Sequence, residues 1–589
     1  MPPVNSNAFS FRNVCLVFSF FALTVIVFFN SLGNDFVFDD THYIKENYLI
    51  KALDLPGLWN IFSSFYVWDY LPLTFVSFGI DYGLFGLDPA GYHLTNLLLH
   101  FVNSYLTYRL VFHITQSGKI ALWTAIIFLT HPIQVESVSW ISERKNLLSF
   151  AFFAGSFICY LRGDSRKLSL VLFGMACLSK SSVVILPLLL IIYDISFNEK
   201  KIMNALVDKV PYFLISLVSA ALTLLSHSTG ETIKEHSDQN PLFTFFSMLA
   251  VLKEYILKIF LPVNLNVWYP SQIYKSFYEP QVMISAIVMT VYFVLLWWGY
   301  KNKRIVFFGL AWFLIALLPN SQIVPMEIIM ADRFLYIPLV GFSIALGSMI
   351  RGSRKKEGLL IVSVLVLICL LSVNRNSVFK NDFLLWKDSV ARNPNNTFSL
   401  MFYGVSHWEK GDHDHALESL KQAKIIEPAN EKAALYSAHI YKEKKEWNKA
   451  EALYKELARK HPKNAKYLNH LAVFWDKRGK TKKSIETINQ AIKLDPELGL
   501  AHFNRGVFLN KVGDSKGALD SFKKAVVLEQ NWAHAHHTLG MFYIKRTDRP
   551  EFGIRHLNQS LRLDPDQPQA EKIQQTLFSI LFKKPKYPN

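Results

Sequence analysis

Two carboxylates stand side by side in Gly33-Asn34-Asp35-Phe36-Val37-Phe38-Asp39-Asp40-Thr41-His42-Tyr43, directly after the first apolar run of the chain. An aspartate pair can act as a general base, hold a divalent cation through oxygen ligands, or cap a solvated turn. Alone, the pair favours the turn. The balance changes with three further stretches that carry polar groups into or against apolar segments: Tyr70 to Thr74, Gly86-Leu87-Asp88-Pro89-Ala90-Gly91-Tyr92-His93-Leu94-Thr95-Asn96, and His131-Pro132-Ile133-Gln134-Val135-Glu136-Ser137. Polar residues inside a bilayer are costly, so by default they point to a site. Glu143, Arg144, Lys145, Lys180 and Arg333 add charge near the same segments. For the basic residues the plain alternative is snorkelling to headgroups, and for each lone histidine it is satisfied packing.

These side chains must be positioned by membrane helices. Runs near the length needed to cross a bilayer recur near 13–30, 93–113, 119–131, 147–161, 168–180, 182–195, 211–226, 281–299, 305–319, 335–350 and 358–373. That predicts about eleven spans. The segment 242–262 carries Lys253, Glu254 and Lys258 at helical spacing and reads as an interfacial helix. Basic loops at Arg162–Lys167, Lys200-Lys201, Lys301–Arg304 and Arg351–Lys356 place one face in the cytoplasm, because short cytoplasmic loops are enriched in Lys and Arg. The acidic first loop, 31–91, then lies outside. So does everything after residue 373.

Beyond that point the character of the chain changes. Pro394, Pro428, Pro462 and Pro496 recur every 34 residues, the tetratricopeptide (TPR) period. Small residues recur in register at Gly404, Ala438, Ala472, Gly506 and Gly540, and at Ala416, Ala450, Ser484, Ala518 and Gly553. About five repeats follow. The expected organisation is a multi-span membrane domain at 1–373, a capping half-repeat at 374–393 with Trp386 in the register of a second helix, a repeat array at 394–570 and a basic tail at 571–589. Stacked helix pairs form a concave groove that suits an extended peptide or partner helix, and Asn469, Asn504 and His537 could line it.

Taken together these features resemble the transmembrane and TPR repeat-containing family, protein O-mannosyltransferase relatives within the GT-C class of glycosyltransferases. The resemblance covers nearly the whole chain. It rests on the Asp-Asp loop, the Gly-Tyr-His-x-x-Asn segment, the His-Pro-x-x-x-Glu segment, Ala331-Asp332-Arg333-Phe334-Leu335-Tyr336-Ile337-Pro338 and the extracytoplasmic repeats, in that order. It implies an all-α fold, a polytopic GT-C-like membrane helical domain followed by a TPR α-solenoid. The implied activity is sugar transfer from a polyprenyl- or dolichyl-phosphate donor to an extracytoplasmic acceptor, a protein Ser/Thr hydroxyl recruited by the repeats. Asp39 matches the acidic residue of the class that acts as base, with Asp40 beside it.

The leaving group in such a reaction is an anion, so Arg333, Arg144, Lys145 and Lys180 are its candidate partners, with His93, His131 and Glu136 in support. No cofactor is required by this reading, although the Asp pair leaves a divalent cation open. Short loops and five repeats mark a compact version of bacterial type, so a bacterial inner membrane is favoured over the ER membrane. The alternative is a non-catalytic membrane-anchored TPR scaffold for protein–protein interaction. Eleven spans are excessive for an anchor.

Composition agrees with a chain of two unlike parts. Its 589 residues are 51% hydrophobic and carry a net charge of +17. Residues 374–589 hold 37 Lys and Arg against 24 Asp and Glu, so most of the positive charge belongs to the repeats. A soluble enzyme, a disordered protein and a disulfide-stapled secreted domain are each disfavoured. Nucleic acid is not an expected partner, since no recognition motif is present.

Overall fold

The computed structural model describes residues 11–163, 165–228, 240–350 and 355–581, and among them helices account for almost all regular structure. Among the described residues, four helices are long and apolar enough to cross a membrane: Val14–Gly33, Val210–Ser228, Pro280–Asn302 and Gly358–Lys380. Four more expected spans are shorter apolar helices, at Gly118–Thr130, Ser181–Phe197, Arg304–Asn320 and Pro338–Gly347. The chain is a membrane protein. The remaining three expected spans fall on Pro89–Thr115, Arg144–Arg162 and Arg166–Ser179, helices that carry polar side chains. In the first of these, His100 and Asn103 are fully buried and both meet the Tyr336 hydroxyl, at 2.9 and 3.0 Å. His100 Nε2 also donates to the Leu129 carbonyl and Asn103 Nδ2 to the Leu147 carbonyl, which is how such a segment is tolerated in a membrane, while Asn103 Oδ1 is buried with no partner among the described residues.

Local sequence explains where these helices begin and break. Asp88 caps the Pro89–Thr115 helix by accepting from Ala90 N–H at 3.0 Å, and Pro89 sits at its first position, where no N–H is needed. The His131-Pro132 pair ends the Gly118–Thr130 helix, because a residue before proline is pushed into extended conformation. The segment 242–262 is the Pro241–Phe260 helix, and its lysines are held by protein: Lys253 donates to Gln281 at 2.6 Å and Lys258 to the Asn264 carbonyl at 3.1 Å.

The chain divides into two compact units, one formed by 1–45 and 58–393, the other by 46–57 and 394–589. This corrects the expected half-repeat. Residues 374–393 belong with the membrane helices: Asn376 Nδ2 donates to the Val27 carbonyl at 2.7 Å, Asp382 accepts from Phe38 N–H at 2.8 Å, and the Trp386 ring meets Phe38 at 5.1 Å. Conversely, residues 46–57 of the first loop count with the repeats, where Lys51 pairs with Asp566 at 2.9 Å and Asp54 with Arg562 at 3.0 Å.

The array runs as five helix pairs from Thr397–Glu409 and His413–Ile426 to Ala533–Arg546 and Pro550–Leu563. Part of the expected tail, Ala570–Leu581, is a further helix whose Ile573 and Leu577 pack on Leu557. Residues 582–589, and 351–354 of the basic loop, lie outside the described residues. The small positions do bring paired helices together: a Cβ on Gly404 would sit 3.0 Å from the Ala416 carbonyl oxygen.

The turn inside each of the first four repeats uses a left-handed residue. Gly411, Gly479 and Gly513 supply it at φ 78°, 73° and 87°, but the second repeat places Lys445 there at φ 60°. A side chain in that region costs about 1–2 kcal/mol. Lys445→Gly is therefore expected to stabilise the array by roughly 0.5–1 kcal/mol after glycine's extra chain entropy is counted. A higher denaturation midpoint for the variant is the expected reading, and a lower one would contradict it.

Candidate active site

Asp39 and Asp40 follow a short turn at the end of the first membrane helix, and their environments differ. Asp40 is fully buried. One oxygen accepts from Val37 N–H at 2.9 Å, and the other accepts from Ser142 N–H at 2.7 Å and from the Ser142 hydroxyl. Burial pushes its carboxyl up to about 7 against the pull of those donors. Asp40 thus ties the first loop to residue 142. Both of its oxygens accept donors, an arrangement that fixes the loop carrying Asp39.

Asp39 is only partly covered, and among the described residues no donor is hydrogen-bonded to its carboxylate. Burial raises its affinity for a proton, Lys145 and Arg333 oppose that, and Glu143 reinforces it. A carboxylate with unengaged oxygens, a raised proton affinity and nearby cations has the attributes of a general base.

The surrounding groups come from a polar hairpin, residues 131–143, that is buried throughout. Glu136 and Glu143 are seven residues apart, but the helix between them is broken into Val135–Ser139 and Ile141–Glu143, and both carboxylates turn toward Arg333. The Arg333 guanidinium pairs with Glu136 and lies 3.5 Å from Glu143, while the Arg333 backbone N–H donates to Glu136 at 3.2 Å. Trp140 lies 5.2 Å beneath the guanidinium. Burial raises the Glu136 carboxyl, Arg333 opposes this, and Asp332 adds to it. Glu143 shows the opposite outcome: burial alone would raise it, but Lys180, Lys145 and Arg333 together hold it at about 2.

Lys145 bridges this cluster to the first loop. Its ammonium lies 3.7 Å from Glu143, 3.7 Å from Asp69 and 3.4 Å from the Tyr43 hydroxyl, which donates to Asp69 at 2.5 Å. Lys180 donates to Asn146 at 2.7 Å and lies 3.4 Å from Glu143. Arg333, Lys145, Lys180, Glu136 and Glu143 therefore form one charged cluster, and Lys145, Arg333 and Glu143 of that cluster act electrostatically on Asp39. Tyr43, Asp69 and Asn146 join it without having been singled out, since only the acid-rich first loop hinted at Asp69.

Three expected members stand elsewhere. Arg144 is wholly buried in a separate knot, where it pairs with Asp81 at 2.5 Å, donates to Asn96 and to the Tyr92 carbonyl, and lies over Phe78 at 4.7 Å. His131 accepts from Ile133 N–H at 3.3 Å and donates to the Ile259 carbonyl at 3.0 Å, so it joins two backbone segments and orients no carboxylate. His93 is buried beside the Asn34 and Asp35 backbone, and neither of its ring nitrogens has a hydrogen-bond partner among the described residues. In the repeats, Asn504 donates to Asn469 at 2.8 Å, linking the first helices of adjacent repeats, and His537 lies near His534 with ring centroids 6.2 Å apart.

A helical membrane unit that carries a buried cluster of acidic and basic side chains precedes a TPR α-solenoid along the chain. Comparison with known proteins agrees. A tetratricopeptide repeat family model matches residues 407–473. The mouse protein O-mannosyl-transferase TMTC3 is 24% identical over 84% of this chain and 62% of its own length, and human TMTC4 is 25% identical over 67% and 64%. Xenopus laevis tmtc2 reaches 35% identity over 25% of this chain and 18% of its own. The chain is thus similar to proteins named protein O-mannosyl-transferases, and it spans about 62% of the length of mouse TMTC3. Among solved structures, the Thermus thermophilus TPR protein TTC0263 is 18% identical, covering 32% of this chain and 99% of its own, with a TM-score of 0.27.

Proposed function

We propose that this protein is a membrane glycosyltransferase that moves a sugar from a polyprenyl- or dolichyl-phosphate donor to a Ser or Thr hydroxyl of an extracytoplasmic protein recruited by the TPR groove. The observation that carries this reading is the Asp39 carboxylate, unengaged by donors and flanked by Lys145 and Arg333. In the reaction, Asp39 takes the acceptor proton as the hydroxyl oxygen bonds to the anomeric carbon, and the bond from that carbon to the phosphate oxygen breaks. The electron pair leaves with the lipid phosphate. Arg333, Lys145 and Lys180 receive that charge, sharing it with the carboxylates they already face. Attack opposite to the leaving group inverts the sugar's configuration.

Both Asp40 oxygens accept protein donors, and this reading requires no divalent ion at the Asp pair. Asp39 acts alone in this reading. The names of the relatives support the reaction class. The acidic first loop and the basic repeats share the outer compartment, in a bacterial inner membrane or in the ER.

The test is donor turnover. Purified protein in lipid is offered a panel of polyprenyl-phosphate sugars with a Ser/Thr-rich peptide, and a peptide mass gain equal to one sugar residue is the expected result. No gain with any donor, together with retained partner binding by the repeats, would instead favour a scaffold.

A further inference from the structure

The first TPR hairpin carries three side chains whose ligand atoms converge. His407 lies in the last turn of the Thr397–Glu409 helix, Asp412 caps the His413–Ile426 helix, and His415 stands in that helix's first turn. Gly411, at φ 78°, reverses the chain between them, and Asp412 N–H donates to the His407 carbonyl at 2.9 Å. The end of one helix is thus held against the start of the next. Nδ1 of His407 lies 3.0 Å from Asp412 Oδ2, and Nδ1 of His415 lies 3.0 and 2.9 Å from the two Asp412 oxygens. All three ligand atoms fall within 4.8 Å of one another, and the imidazole rings stack at 5.3 Å.

The repeat register shows that the fold does not demand these residues. One period on, the positions of His407, Asp412 and His415 hold Tyr441, Glu446 and Lys449; the next period holds Trp475, Lys480 and Lys483, and the one after holds Leu509, Asp514 and Gly517. The slot itself enforces close approach of its first and third members. Lys449 Nζ lies 5.1 Å over the Tyr441 ring, and Lys483 Nζ lies 3.8 Å over the Trp475 ring. What the second and third repeats use for a cation over an aromatic ring, the first repeat fills with two imidazoles and a carboxylate between them.

We propose that His407, Asp412 and His415 form a binding site for a divalent transition-metal cation of the zinc type. Two imidazole nitrogens and one carboxylate oxygen favour zinc-like ions over magnesium or calcium, which prefer all-oxygen shells. His407 is buried while His415 and its side of the cluster are exposed, so a fourth position opens to solvent for water or for a ligand from a bound partner. Coordination requires the Nδ1 lone pairs. Each neutral ring then carries its proton on Nε2, and the hydrogen bonds from Nδ1 to Asp412 are replaced by bonds to the ion. The ion would pin the last turn of one helix to the first turn of the next at the start of the array.

The chain has 18 histidines, so the test is a difference measurement on the full-length protein in detergent. After chelator treatment it is titrated with Co²⁺ beside a His407→Tyr/His415→Lys variant, which installs the residues of the second repeat and so suits the fold. The wild type should take up one additional equivalent with tetrahedral d–d absorption, displaced by Zn²⁺, and the variant should lose at least about 100-fold in affinity for it, since even outer-shell changes cost 10–100-fold. Asp412→Asn supplies a second reading, because asparagine keeps the helix cap while removing the anionic ligand. Equal uptake and equal spectra for the wild type and either variant would overturn the site.

Discussion

Asp39→Asn is expected to lower sugar transfer by about 10²–10⁴-fold, the usual contribution of a positioned general base, while helix content and donor binding stay unchanged. Asparagine keeps the shape and cannot accept the proton. The pH profile supplies a finer test. Asp39 must be ionised to act, so kcat/KM rises as pH rises through its titration, and burial places that limb above the ordinary carboxylate value of 3.8. Lys145 is the largest influence opposing the upward shift. Removing it in Lys145→Met raises the Asp39 proton affinity further, so the acid limb should move to higher pH in the variant. A limb that moved to lower pH would separate Lys145 from the base and leave Asp39 without its assigned environment. Asp40→Asn should affect folding and transfer together, since the change disturbs the donors from Val37 and Ser142 that fix the loop.

The repeat array was the most legible part of the sequence, because a 34-residue period writes the same packing constraint five times. The membrane helices were legible as apolar runs, yet their limits were not, since His100, Asn103 and Thr107 make the Pro89–Thr115 segment look weaker than its role. The site was readable in its acids and in Arg333, because charge beside an apolar run stands out. Partner choice was not readable. Nothing in the local sequence separates Arg144 from Lys145, yet adjacent positions at the start of one helix send one side chain to Asp81 and the other to Glu143. The half-repeat misled for a related reason: Trp386 fits the repeat register, but Phe38 offers it a partner more than 340 residues away in sequence. Long-range pairing of this sort leaves no periodic trace.

Arg144→Met is expected to be the most destabilising of these substitutions, and its outcome distinguishes a structural pin from a phosphate ligand. The Arg144 side chain is 0% exposed and Asp81 only 4%. Removing the guanidinium leaves the Asp81 carboxylate buried beside Thr95 with no cation, and also strips a donor from Asn96 and from the Tyr92 carbonyl. Breaking a buried pair in this way costs about 3–5 kcal/mol. The expected result is a lower Tm in detergent and a shorter half-life. Asp81→Leu/Arg144→Met removes both charges, and should recover a large part of the loss, because an apolar pair of similar volume carries no stranded ion. A phosphate-binding arginine predicts a different pattern: unchanged stability in the single variant, a raised KM for the lipid donor, and no rescue by the second change. Recovery of Tm in the double variant therefore identifies Arg144 as the residue that locks the Pro72–Phe85 and Pro89–Thr115 helices to the start of Arg144–Arg162, leaving Arg333, Lys145 and Lys180 to meet the leaving phosphate.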